Sequence, residues 1–152
     1  MKKGCLEDLL RVRQLDFQDE VDVFDRMLEV LGSEVLSKED LVDLLSVFID
    51  RTRHEEVMYG LLHLIEASDI NSVVAAIVQA APDMKMAASD WLDTFICRLL
   101  NGDHSRSTLI DHLKQSKGAP GGAEVVSRLN VMKEDSSEKI RERALFVLSK
   151  IN

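Results

Sequence analysis

Cysteine is scarce in this chain: two residues, Cys5 and Cys97, in 152. They lie far apart and neither has a Cys-x-x-Cys partner, which argues against a disulfide framework and a thiolate zinc site. An export signal is missing as well. The opening residues Met1-Lys2-Lys3-Gly4-Cys5-Leu6-Glu7-Asp8 place acids where a signal peptide carries its apolar run. Reduced thiols in the cytoplasm are therefore expected, with Cys97, set in an apolar run, as a core filler. Long hydrophobic runs are absent too. The longest uncharged stretch, residues 70–82, is interrupted by Asn71, Ser72 and Gln79. It falls short of the ~20 apolar residues that a spanning helix needs, so no membrane partner is expected.

Signatures of catalysis are also missing. A zinc protease places two histidines at i and i+4 of a helix, with glutamate after the first. His54-Glu55-Glu56-Val57-Met58 begins that way but ends in Met58. Di-iron bundles repeat Glu-x-x-His, whereas the residues three before His54, His63, His104 and His112 are Arg51, Gly60, Asn101 and Leu109. The glycines from Gly118 to Gly122 lead into Ala123-Glu124, and a carboxylate there repels phosphate. No Gly-x-Ser-x-Gly elbow occurs. Neither cysteine shows a sequence signal of thiolate activation. A non-enzymatic protein without metal or cofactor is the expectation. An enzymatic reading would need a site assembled from distant residues, such as His63, His104 and His112 with nearby carboxylates.

What the chain does have is an uneven distribution of charge. The net charge is −8. Residues 1–76 hold eight basic and 17 acidic side chains, and residues 77–152 hold 11 and ten. Residues 16–69 alone reach −11. Such a field speeds encounter with basic partners and opposes a phosphate backbone, so nucleic acid is not an expected partner. The plainer reading is that acids keep a small domain soluble.

Apolar residues make up 45% of the chain, and they recur at three and four almost throughout. Leu6, Leu9, Leu10 and Val12 mark a first helix. Val21, Phe24, Met27, Leu28 and Leu31 mark a second, stopped by Gly32. Ser37 with Asp40 reads as an acidic capping box before Leu41, Leu44, Leu45, Phe48 and Ile49. Thr52-Arg53-His54-Glu55 reads as another before the helix to Glu66. Ser68 or Asp69 caps a helix that Pro82 ends, and Asp83 caps a long segment to Asn101-Gly102. Ser105 restarts a helix, and Lys117 to Gly122, with three of the seven glycines, is the one flexible loop. Helices from about Glu124 and Ser137 close the chain. One all-α domain over residues 1–152 is expected, a compact bundle of eight or nine short amphipathic helices. The last helix, with Arg141, Ala144, Leu148 and Ile151, is similar to the second helix of a HEAT repeat. HEAT-like stacking of helix pairs is one arrangement open to the bundle.

The helix from about His54 to Glu66 is the most informative. At about 100° per residue, Val57, Met58, Leu61, Leu64 and Ile65 fall on one side. Glu56, Tyr59, His63 and Glu66 fall on the other, within an arc of about 80°. An exposed tyrosine among acids would anchor a basic protein partner. Alternatively a second helix covers this side, and Gly60, which permits close helix approach, favours that.

Residues 47–66, Val-Phe-Ile-Asp-Arg-Thr-Arg-His-Glu-Glu-Val-Met-Tyr-Gly-Leu-Leu-His-Leu-Ile-Glu, resemble the central motif of the immunity protein 30 family of bacterial polymorphic-toxin systems. Trp91, the run Arg98-Leu99-Leu100-Asn101-Gly102-Asp103 and Arg106 are similar to that family's second block. Arg51 stands where an acid is commoner. The resemblance implies an all-helical, non-enzymatic inhibitor. Its partner would be the toxic domain of a cognate secreted effector, a basic protein such as a nuclease. A HEAT-like adaptor without a toxin partner is the rival reading. Shared residues within such a family mark fold more often than contact. Gly60, His63, Glu66, Trp91 and Asn101 are thus expected to be structural. Asp40, Asp43, Asp50, Glu55, Glu56 and Tyr59 are the expected partner contacts.

Overall fold

Apolar residues spaced at three and four bury one face of a helix and leave the other to water. The computed structural model describes residues 1–152 and follows that rule throughout. Nine α-helices and no strand are formed: α1 (Lys3–Val12), α2 (Gln18–Leu31), α3 (Lys38–Leu45), α4 (Glu55–Glu66), α5 (Ile70–Ala87), α6 (Ser89–Asn101), α7 (Asp103–Gln115), α8 (Pro120–Met132) and α9 (Glu138–Ile151). The chain divides into two compact units, Met1–Ala76 and Ile77–Asn152, and the division falls inside α5.

In the first unit α2 packs against α1 and α4, and α3 packs against α4. The predicted stripes supply the core. Phe24 and Leu31 of α2, Leu41, Leu44 and Leu45 of α3, and Met58, Leu61, Leu62 and Ile65 of α4 are all fully buried. Each side chain of this size contributes up to about 1.5–3 kcal/mol by leaving water. The capping box at α3 forms as read: Ser37 Oγ accepts from Asp40 N at 3.1 Å and Asp40 Oδ2 accepts from Ser37 N at 3.0 Å. Asp69, not Ser68, receives the Ser72 amide at 3.2 Å and caps α5.

Two local expectations for this unit are corrected. Helix α3 stops at Leu45, so Phe48 is buried from the connection after the helix and not from its stripe. The Thr52–Glu55 box does not form. His54 is the N-cap of α4, and the Thr52 hydroxyl instead donates to Arg13 O at 3.0 Å and to Gln14 O at 3.3 Å. Arg53 N donates to Gln14 O at 3.0 Å beside it. A tertiary partner, the open end of α1, has outcompeted the local one. Gly32 does end α2, with φ −63°, and the chain leaves by tight turns from Ser33 N to Val30 O and Glu34 N to Leu31 O. The one non-glycine residue in the left-handed region is Leu15, at φ 55°. Its side chain is fully buried, which offsets a backbone cost of about 1–2 kcal/mol.

In the second unit α9 packs against α6, α7 and α8, and α6 and α8 each pack against α7. Leu92, Ile96, Leu100, Leu109, Val125, Leu129, Ala144 and Val147 are fully buried. Pro82 does not end a helix here. It lies inside α5, which runs on to Ala87, and Asp83 is an exposed residue of that helix and caps nothing. The break comes at Ala88, with φ −150° and ψ 50°. Helix α7 starts at Asp103, ahead of Ser105. Nor is the whole of Lys117–Gly122 a loop: Gly118 lies in an exposed turn, but Gly121 and Gly122 do not. Helix α8 begins at Pro120, which needs no N–H at that position, and Gly121 and Gly122 are buried in its first turn. A Cβ on Gly121 would lie 2.0 Å from the Val78 carbonyl oxygen, and one on Gly122 would lie 2.3 Å from that of Ser116. Pro82 has no N–H to return to Val78 O, four residues back, and the bare Cα of Gly121 approaches that same oxygen.

Candidate interaction surface

The first unit is the acidic one. The boundary after Ala76 separates a segment of net charge −9 from one of net charge +1. Each expected contact residue falls on its α3–α4 side. Asp40 is half-buried and already engaged. It closes the α3 capping box, and its Oδ2 lies 3.3 Å from the Met1 amino group. Burial pushes its carboxyl upward, but the Ser37 amide, the Ser37 hydroxyl and the amino group outweigh this and hold it below the usual 3.8. Asp43 is exposed on α3, and Asp50 is exposed in the α3–α4 connection. Glu55 and Glu56 are exposed in the first turn of α4, where the helix dipole favours negative charge. Glu56 Oε1 lies 3.2 Å from His54 Nδ1.

The other face of α4 is open at two positions and partly covered at two. The Glu56 and His63 side chains are 75% and 62% exposed, so no helix lies over them. Tyr59 and Glu66 are half-buried. The Tyr59 and His63 ring centroids are 6.3 Å apart, and His63 Nδ1 lies 3.7 Å from Glu66 Oε1. Gly60 marks where α2 comes close, since a Cβ there would stand 3.0 Å from Leu28 Cδ1.

The second block of motif residues caps helices. Trp91 is buried in α6. At the end of that helix, Ser105 Oγ donates to Leu99 O at 2.6 Å and Arg106 Nη1 donates to Leu100 O at 2.6 Å. These carbonyls fall in the last turn of α6, beyond the reach of ordinary intrahelical amides. Arg106 Nη2 also pairs with Asp103 at 2.7 Å. Asn101 Oδ1 accepts from Arg143 Nη1 of α9 at 2.6 Å. The run Arg-Leu-Leu-Asn-Gly-Asp with its following arginine is therefore a sharp helix–helix turn that provides its own hydrogen-bond partners.

Residues 11–109 match the model of the family described as immunity protein 30. The chain belongs to the immunity protein 30 family. No curated protein and no solved structure matches it. The family match covers both blocks up to Leu109, and the two differ in kind. The second block closes a turn with its own side chains, whereas the first leaves Glu55, Glu56 and His63 facing water.

Little here resembles a catalytic arrangement. No three His, Cys, Asp or Glu side chains converge as a metal site would require. Cys97 is half-buried, a correction to its expected place in the core. Burial, with Asp93 and Asp135 nearby, pushes its thiol up, the reverse of what a nucleophile needs. A groove of about 280 Å³ between the α2–α3 connection and the end of α4 is lined by Leu31, Leu36 and Leu64 with Glu34 and Asp69. It is smaller than the roughly 300–1,000 Å³ of ordinary small-molecule sites.

Sequence reasoning missed two features. Arg128 of α8 forms a two-pronged pair with Asp93 of α6 through Nε and Nη2, which raises the arginine further. A separation of 35 residues hides that pair from any periodicity. Phe17, the residue before α2, is 69% exposed. Its signal was present in the sequence: a phenylalanine stands where helix starts favour Ser, Thr, Asp or Asn.

Proposed function

We propose that the protein is an immunity protein that binds and neutralises the toxic domain of a cognate secreted polymorphic toxin. The family match over residues 11–109 carries this reading. The protein acts by occupying its partner and catalyses nothing itself. The toxin is basic, in keeping with the concentration of acid in Met1–Ala76. A nuclease is the class that suits best, because a cleft built to hold phosphate is positively charged. The contact is made through Asp40, Asp43, Asp50, Glu55, Glu56 and Tyr59. Asp43, Asp50, Glu55 and Glu56 are exposed, and Tyr59, one turn along α4 from Glu55 and Glu56, is half-buried. Asp40 contributes charge while held in its capping box. The protein works in the cytoplasm, where it meets a toxin that acts there.

Titration of the purified chain with the polypeptide encoded beside its gene tests this reading. A saturable complex that weakens as salt rises is expected. No complex at any salt concentration would overturn it.

A further inference from the structure

The corner between α1 and α2 breaks two local rules at once. Leu15 adopts φ 55°, a conformation that suits glycine or asparagine, and Phe17 occupies a helix N-cap, where a ring can accept no hydrogen bond. Both long-range and local hydrogen bonds hold this unfavourable backbone in place. Thr52 Oγ1 donates to Arg13 O and Gln14 O, Arg53 N donates to Gln14 O, and Glu20 Oε1 accepts from Asp16 N at 3.0 Å and Phe17 N at 3.1 Å. What this support delivers is an aromatic side chain 69% exposed to water. Departures from local preference of this kind concentrate at functional sites.

The surroundings say what would cover it. From Phe17 the solvent face of α2 carries Asp19, Asp22, Asp25 and Glu29, all exposed and within an arc of about 120° at the helical period. Arg26 is the one exposed basic side chain on that helix. On the other flank Arg53 Nε lies 3.9 Å from Asp16 Oδ1, which joins the corner to the connection that leads to Glu55 and Glu56. An exposed ring with Asp16 and Asp19 close to it in sequence, at the head of an acidic helix face, is complementary to a basic polypeptide that offers an apolar pocket flanked by lysine or arginine.

We propose that Phe17 is the anchor of the partner-binding surface, and that the acidic ridge Asp19, Asp22, Asp25 and Glu29 steers and orients the basic partner onto it. This rests on the immunity reading and adds to it a site that the central motif does not contain.

The full chain, its Phe17→Ala variant and its Asp22→Lys/Asp25→Lys variant are titrated against the polypeptide encoded beside the gene. Because Phe17 is exposed, its truncation should leave helicity and melting unchanged. Phe17→Ala is expected to weaken binding at least tenfold, mainly through faster dissociation. The lysine pair should slow association and flatten its salt dependence. If the parent chain binds and Phe17→Ala binds within threefold of it, this surface is wrong and the immunity reading stands. If the parent chain does not bind, the immunity reading fails and the assignment fails with it.

Discussion

Gly121→Ala is expected to destabilise the second unit by about 3 kcal/mol, near the upper end for overpacking. The added methyl would stand 2.0 Å from the Val78 carbonyl oxygen and 2.9 Å from its carbon. The obstacle is backbone inside α5 and cannot turn aside as a side chain would. Either α8 moves away, uncovering Val125 and Leu129, or α5 bends at Pro82. Thermal unfolding followed by circular dichroism should show a midpoint lower by roughly 10 °C. Gly118→Ala, three residues earlier, meets nothing within 4 Å and should be neutral or slightly stabilising. Equal effects for the two substitutions would contradict this account of the glycine-rich segment.

Replacing Glu55 and Glu56 together by lysine should weaken the complex with a basic toxin about 100-fold, because like charges then meet across the interface. Both side chains are exposed in the first turn of α4. The same change puts cations at a helix N-terminus, so a stability loss of about 1 kcal/mol accompanies it. Circular dichroism separates the two effects: helicity should stay intact while affinity falls. Binding of the parent chain should weaken with salt and that of the variant should depend on it less. Unchanged affinity would remove these two residues from the interface.

The helices were legible in the sequence because burial of one face depends on spacing alone. The predicted stripes, from Leu9 and Val12 to Leu61 and Ile65, proved to carry buried residues. Helix ends were less legible, because long-range partners decide several of them. Thr52 reads as a cap until the end of α1 is known to lie against it. Pro82 and the glycines after Lys117 read as breaks, and only the approach of Gly121 to Val78 gives them another role. The Ser37–Asp40 box was legible because both partners lie within one turn. At the candidate surface, the helical period put Glu56 and His63 on one face, and the structure leaves both open to water. Phe17 escaped the reading because a single exposed ring has no periodicity, and only its misfit as a cap could have marked it.

The most direct measurement of the central claim is growth. The gene beside this one is expressed in a sensitive cell with and without the present chain. The neighbouring product alone should arrest growth, the chain should restore it, and the Glu55→Lys/Glu56→Lys variant should restore it less. Arrest that persists with the folded chain abundant in the cell would contradict neutralisation by this protein.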